Sequence, residues 1–316
     1  PAYTAQVAFG FYVWTASATG GFSGLIVGLF PAAPFIALTW AFWNSRDYFD
    51  PKPLSLTARF GEWALVTGAS SGIGASLARQ IAADGTKVIL SARREERLTA
   101  LAAEIEREFG VETRVVVADL GEPDGATRLL ESVSDLEIVL LVNNAGLGYA
   151  GRFDLLDAEG LRKLVSVNCE APLVLSHALV QGMRERGRGG IIFTGSVAGR
   201  QPLPLHSVYS ATKAFDLFLG EALWAELRAS NIDVLVLEPG STETEFQAVA
   251  GELPHAGQNA DEVAALGLRS LGEQPSVVSG WRNWLRANAV GRLLTRPIAA
   301  LGAYRYMTKQ TPDELR

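Results

Sequence analysis

From Trp63 onward, short apolar runs alternate with longer amphipathic stretches. The runs Trp63–Val66, Lys87–Ser91, Thr113–Val117, Glu137–Val142, Gly190–Thr194 and Ile232–Leu237 are apolar at successive positions rather than at every second one. Such runs predict strands covered on both faces, as in a parallel sheet. Between them, helices are predicted at Ala75–Ala83, Glu95–Phe109, Pro123–Val133, Ala158–Arg186 and Ser207–Ala229. In the second of these, Leu98, Leu101, Ala102 and Ile105 share one face. Strand and helix in alternation predict an α/β fold, a doubly wound parallel sheet covered on both faces, from Trp63 onward. A further strand-like piece, Ser276-Val277-Val278, closes that region.

The chain ahead of this domain has another character. Residues 1–45 hold no charged side chain, and Phe22 to Trp43 is mostly apolar, broken by Pro31 and Pro34. About 20 apolar residues cross a bilayer core, so a membrane-associated helical segment is expected here, as one span or a helical hairpin. Trp40, Phe42, Trp43 and Tyr48 beside Arg46 have the make-up of an interfacial aromatic belt. Arg46, Lys52 and Arg59 follow the apolar region and no charge precedes it, which places the rest of the chain on the cytoplasmic side. The competing reading is a buried helical arm within an oligomer. Residues 46–60, with Asp50-Pro-Lys-Pro53, read as a linker.

Residues 281–316 form a basic amphipathic extension. Arg282, Arg286, Arg292, Arg296, Arg305, Lys309 and Arg316 face only Asp313 and Glu314, and Trp281, Trp284, Leu285, Leu293, Leu294 and Ile298 accompany them. This composition suits an anionic membrane surface, a helical lid over a pocket, or a helix that binds a partner.

Composition narrows the picture. The chain has 316 residues, 48% of them hydrophobic, and a net charge of −6, which fits one large domain with extensions and argues against nucleic acid as a partner. Cys169 is the single cysteine, so no intrachain disulfide can form; with His177, His206 and His255 scattered, no metal site is expected.

The chemistry gathers at the carboxyl ends of the predicted strands, where ligands of such sheets bind. The first strand runs into Thr67-Gly68-Ala69-Ser70-Ser71-Gly72-Ile73-Gly74, a glycine turn opening a helix. Gly68 allows the tight turn, Gly72 a close approach of backbone to a pyrophosphate, and Gly74 close helix–sheet packing. The other ends are Ala92-Arg93, Asp119, Asn143-Asn144-Ala145-Gly146, Ser196 and Pro239-Gly240. Tyr209 and Lys213 are four apart and share a helix face. A lysine ammonium beside a phenol lowers the phenol's pKa toward the range useful for acid–base work. Ser196 can hydrogen-bond the same reacting oxygen. Cys169, next to Asn168, reads as a small packed residue, and His206 as structural or on the rim of the site.

The glycine stretch 67–74, Asn143-Asn144-Ala145-Gly146, Ser196 and Tyr209-Ser-Ala-Thr-Lys213 together resemble the short-chain dehydrogenase/reductase family over about residues 61–280. The resemblance implies a seven-stranded Rossmann-type sheet, a nicotinamide cofactor, and hydride exchange with a carbonyl or alcohol. It implies that Ser196, Tyr209, Lys213 and Asn168 form the catalytic set, Asn168 holding a water that links Lys213 to solvent. It further implies cofactor contacts from Gly68, Ser70, Ser71, Gly72, Ile73, Gly74, Asn144, Ala145, Gly146, Tyr209 and Lys213. Pro239, Gly240 and Thr242 match the segment against the nicotinamide, Asp119 the adenine contact, and Leu120 lies beside it. Members that use NAD end the second strand with a carboxylate; here Ala92 stands there, followed by Arg93 and Arg94, so NADP(H) is preferred over NAD(H). Residues 241–260 match the mobile substrate loop, in which Phe246 and Leu253 suit an apolar substrate.

The expected activity is an NADP(H)-dependent oxidoreductase, attached to membrane lipid, that interconverts a lipophilic ketone or aldehyde and its alcohol. The rival is a cofactor-binding accessory subunit of a membrane protein complex with little turnover. The two long helices offer faces for a homodimer or tetramer.

Overall fold

The computed structural model describes residues 56–316; residues 1–55, with the expected membrane segment and most of the linker, lie outside the described residues. The last residues of that linker are not extended. Leu56–Phe60 is a short helix, α1, whose Leu56 and Phe60 join the core, and the Asp84 carboxylate accepts hydrogen bonds from the Leu56 and Thr57 N–H groups. An apolar pair at i, i+4 above an acidic cap is enough to wind one turn onto the domain.

Seven parallel strands then form one sheet in the order β3-β2-β1-β4-β5-β6-β7. They are β1 (Trp63–Thr67), β2 (Lys87–Ala92), β3 (Thr113–Val117), β4 (Ile138–Asn143), β5 (Gly189–Thr194), β6 (Ile232–Glu238) and β7 (Ser276–Val278). The parallel sheet expected from the apolar runs, with the seven strands that the family resemblance implies, is therefore present. β1, β4 and all but the last residue of β5 are buried along their whole length, which is why these runs carry apolar side chains on both faces. The two faces carry separate cores, one built around Leu77, Ile81 and Leu98, the other around Leu175, Phe193 and Leu217.

Helices α2 (Gly72–Ala83), α3 (Glu95–Phe109), α4 (Gly125–Glu131), α5 (Ala158–Val165), α6 (Ala171–Arg186) and α7 (Ser207–Leu227) connect the strands. The expected 158–186 helix is interrupted: Ser166–Glu170 is a π-helical turn between α5 and α6, and Asn168 sits in it. Such a turn widens the helix and re-aims a side chain, a distortion common at functional sites. Beyond β6 come α8 (Phe246–Val249) and α9 (Ala260–Ser270), and after β7 the extension folds as α10 (Trp281–Leu293) and α11 (Arg296–Met307).

This extension is part of the domain wall. Ala299, Ala303 and Met307, spaced four apart, are buried, while Trp281, Leu293, Ile298 and Leu301 are exposed. Its end ties down two neighbouring segments: Leu253 N–H donates to Gln310 O (2.8 Å) and Arg152 N–H to Leu315 O (2.7 Å). Among the described residues, no helix is long and apolar enough to cross a membrane.

Candidate active site

The strand order places β1 between β2 and β4, so the chain winds away from β1 in both directions and leaves a crevice at its carboxyl end. The glycine-rich turn lines this crevice. Gly68 has φ +67°, and a Cβ there would come within 2.8 Å of Ala145 Cα; on Gly74 it would come within 2.4 Å of Gly68 O. These are backbone contacts that no side chain can relieve, so both glycines are required by packing. Gly72, at φ +55°, meets only the Thr244 side chain, 2.7 Å from an ideal Cβ. Ser71 caps α2 without a side-chain hydrogen bond, so the helix start presents its N–H groups to an anion. The cradle fits the pyrophosphate of a dinucleotide.

The residues around it hold the strand ends in register. Thr67 Oγ1 donates to Val142 O (3.1 Å) and accepts from the N–H groups of Asn144 (3.0 Å) and Ala145 (3.1 Å). Asn144 Nδ2 donates to Thr67 O (3.0 Å), and its Oδ1 accepts from Thr194 Oγ1 (3.3 Å). Asn144 thus binds β1, β4 and β5 together, and Gly146 follows at the crevice, 3.7 Å (from an ideal Cβ) from Lys213 Nζ. The Asp119 carboxylate is fixed by Gly121 N–H (2.9 Å) and Lys163 Nζ (2.8 Å). Burial works to raise its pKa, but Lys163, the Gly121 N–H and Arg93 prevail and hold it below the ordinary aspartate value. Leu120 beside it is buried.

Of the two arginines expected near the ribose, Arg94 makes the contacts. Its guanidinium donates to Ser70 Oγ (2.9 Å) and Ser71 Oγ (2.9 Å), whereas Arg93 acts on the Asp119 carboxylate; both arginines are exposed. Thr242 turns inward, its hydroxyl donating to Gly240 O (3.2 Å). Thr244 is the threonine that reaches the glycine turn, and two residues carry no weight in the sequence pattern but stand beside it: Arg97, in the first turn of α3, and Glu245. A basic residue at i+4 from Arg93 is the only signal in the sequence that points to Arg97.

Ser196, Tyr209 and Lys213 converge beyond the nicotinamide side of the crevice. Ser196 follows β5, and its Oγ accepts from Ala198 N–H (3.1 Å), starting a short 3-10 turn over Val197–Arg200. Tyr209 lies in the first turn of α7, and the Ser196 hydroxyl is near enough to its phenol to favour the phenolate. Lys213, one turn further, donates to Thr194 O (2.7 Å) and to Asp216 Oδ2 (3.0 Å). Burial pushes the Tyr209 phenol above its ordinary pKa; Lys213 and Ser196 pull it down by less, and Glu252 and Asp216 add to the rise. Lys213 has the expected sign, lowering the phenol's pKa, while desolvation acts in the opposite sense and is the larger influence. Asp216 is a buried carboxylate beside the lysine that the spacing of Tyr209 and Lys213 gave no reason to single out.

Asn168 is buried, and its side chain is fully engaged. Oδ1 accepts from Leu147 N–H (2.8 Å), and Nδ2 donates to Leu147 O (2.9 Å) and Thr212 Oγ1 (3.0 Å). It therefore clamps the 145–148 segment to α7 next to Lys213. His206 is buried at the start of α7, with Nε2 2.9 Å from Glu252 Oε1. Its ring is edge-on to Tyr209, with centroids 6.4 Å apart.

A doubly wound sheet with a phosphate cradle at β1, and with Ser196 and Tyr209 beside a buried lysine, defines a dinucleotide-binding fold of the Rossmann class. Residues 62–253 match the family model described as short chain dehydrogenase. The chain belongs to the short-chain dehydrogenase family of oxidoreductases. It is 37% identical over 195 residues to a very-long-chain 3-oxoacyl-CoA reductase of Anas platyrhynchos, a match covering 60% of this chain and 62% of that relative's length. A solved 7beta-hydroxysteroid dehydrogenase superposes with a TM-score of 0.74 at 29% identity, covering 81% of this chain and all of that one. A short-chain dehydrogenase from Sphingobium yanoikuyae in complex with NADPH superposes with a TM-score of 0.66 at 34% identity, covering 73% of this chain and 94% of that one.

Proposed function

We propose that the protein is an NADP(H)-dependent reductase or dehydrogenase that interconverts a lipophilic ketone or aldehyde and its alcohol. The observation that carries this reading is the placement of Tyr209 one helical turn from Lys213 and close to Ser196, at the mouth of a phosphate cradle and beneath an apolar cover. When bound, the nicotinamide supplies or accepts the hydride. Tyr209 delivers its phenolic proton to the carbonyl oxygen as the carbon is reduced, and takes it back in the reverse direction. Ser196 donates a hydrogen bond to that oxygen and fixes its position. Lys213, held by Thr194 O, stabilises the phenolate left behind. Asn168 is a positioning residue that keeps the 145–148 segment and α7 in place, and supports the route by which the proton is replaced.

The preference for NADP(H) rests on Arg94 at the Ser70–Ser71 turn and on Ala92 where a carboxylate would repel a 2′-phosphate. NADPH named with the Sphingobium structure is in keeping with it. Lipophilic substrates are supported by Phe246 against Tyr209, and by the acyl-CoA and steroid named in two relatives. Attachment to membrane lipid, with the catalytic domain on the cytoplasmic side, is part of the same reading. It is supported by the charge-free residues 1–45, the cations that follow them, and the exposed Trp281, Leu293, Ile298 and Leu301 beside Arg282 and Arg296. Phe218, exposed on α7, supports self-association through the long helices.

Oxidation of NADPH by the full chain with a panel of long-chain and polycyclic ketones tests the reading. Tyr209→Phe is expected to lower turnover by roughly 10²–10⁴-fold with cofactor binding retained. Binding of NADPH without turnover on any carbonyl would favour the accessory-subunit reading instead.

A further inference from the structure

The segment that covers the substrate side of the site begins on the cofactor side. Glu245, one residue before α8, places Oε2 2.7 Å from Arg94 Nη1 and Oε1 2.7 Å from Arg97 Nη1. Its carboxylate is thus chelated by two guanidinium groups, one of which also holds Ser70 and Ser71 of the glycine turn. The neighbouring Thr244 sits against Gly72, on the face of the turn where a pyrophosphate approaches. The next residue, Phe246, lies on Tyr209. Three consecutive side chains therefore touch the phosphate loop, the phosphate arginines and the proposed acid/base in turn.

A carboxylate shared by two arginines, one of which also holds two serine hydroxyls, describes a phosphomonoester site with a carboxylate in it. A shallow groove of about 190 Å³ lined by Ser70, Arg97 and Leu101 opens beside it. Arg79 and Glu104 in the same groove are paired with each other (2.6 Å), so Arg79 is not the group that awaits an anion. Resting on the NADP(H) reading above, we propose that Glu245 stands in for the 2′-phosphate on Arg94 and Arg97, and that the phosphate, by displacing it, frees residues 244–255 to admit substrate. Arg97 then joins Arg94 as a determinant of cofactor specificity, and Glu245 couples the adenosine end of the site to its substrate end.

The exchange is favourable by charge. A phosphomonoester carries about −1.5 to −2 at neutral pH and three acceptor oxygens, against one negative charge and two oxygens for the carboxylate. Both ion pairs are close to half exposed, where such pairs are weak and easily exchanged. A dinucleotide with a bare 2′-hydroxyl has nothing to offer the arginines and leaves Glu245 in place.

Titration of the full chain with NADPH and with NADH, followed by cofactor fluorescence, tests this. Glu245→Gln is expected to tighten NADPH binding about tenfold and to leave NADH unchanged; Arg97→Gln is expected to weaken NADPH about tenfold, again without effect on NADH. In the unmodified protein, NADPH but not NADH should raise hydrogen exchange over residues 244–255, and in Glu245→Gln that segment should exchange faster with no cofactor present. If the unmodified protein binds both cofactors equally, the NADP(H) reading fails and this inference with it. If NADPH is strongly preferred yet Glu245→Gln leaves its affinity unchanged or weaker, the cofactor reading stands and the displacement is wrong.

Discussion

The ring of Phe246 rests on the ring of Tyr209, with centroids 5.5 Å apart and planes inclined by 47°. Gly148 completes the contact: an ideal Cβ there would lie 2.8 Å from Phe246 Cζ, so the 145–148 segment leaves room for the aromatic ring and no more. The proposed acid/base is thus partly covered by an apolar segment whose far end is held by Leu253 on the C-terminal extension.

Removing that lid has a readable cost. Phe246→Ala exposes Tyr209 to water and deletes an apolar wall of the substrate pocket, and an apolar contact of this size is worth about 1–3 kcal/mol. We expect kcat/KM for bulky apolar ketones to fall about tenfold or more, with little change for small polar ones. A uniform loss across a series of ketones of increasing chain length would show that Phe246 does not touch substrate.

The pH dependence follows from the sign of the Tyr209 shift. A phenol held above its ordinary pKa keeps its proton between about pH 6 and 9, so reduction, which consumes that proton, is expected to be nearly flat across this range. Oxidation needs the phenolate and is expected to rise toward alkaline pH. Lys213→Met removes the largest influence that lowers the phenol's pKa, so the rise should move to still higher pH. Plots of log kcat against pH in both directions check this; an alkaline limb displaced to lower pH by Lys213→Met would contradict it.

Cys169 gives an independent reading of how closed this region is. Burial first, and then Asp216, push its thiol up to about 11. At pH 8 about one molecule in a thousand carries the thiolate, which is the reactive form. Iodoacetamide should therefore label the native chain orders of magnitude more slowly than the unfolded one. Rapid labelling of native protein would mean that the π-turn around Asn168 opens readily.

Much of this architecture was legible in the sequence because β1, β4 and β5 are buried on both faces and must be apolar throughout. The glycines at 68 and 74 were legible because backbone contacts forbid any Cβ there. What the pattern hid was decided by tertiary contact. The π-turn at 166–170 leaves helical periodicity almost intact, so 158–186 read as one helix. Helix α1 is a single turn whose two apolar residues have meaning only against the core. Arg97, Asp216 and Glu245 are charged residues on segments where charge is commonplace, and they matter through partners that lie far away in the chain or across a helical turn.

A last prediction concerns the clamp behind Ser196. Arg200, in the 3-10 turn that Ser196 caps, makes a bidentate ion pair with Glu238 at the end of β6, with Nε 2.7 Å from Oε2. Glu238 is fully buried, and the pair fixes the 197–200 turn to the strand that leads into Pro239-Gly240. Pro239 O accepts from Val197 N–H (3.0 Å), so the Ser196 hydroxyl is positioned through this junction. Arg200→Met leaves a buried carboxylate without its counter-charge, which costs about 3–5 kcal/mol, or a melting temperature lower by roughly 10 °C. Burial already raises the Glu238 pKa, and Arg200 opposes that rise. Without Arg200 the carboxyl takes up a proton more readily. A raised folded-state pKa means stability that is present at low pH and lost as pH rises through it, so the deficit should be greatest near pH 8 and shrink toward pH 5. Arg200→Met combined with Glu238→Leu removes the orphaned charge and should recover most of the stability. Thermal unfolding of both variants across this pH range decides the matter: equal instability of the single and double variants, with no dependence on pH, would show that packing of the arginine stem, not its charge, holds the turn.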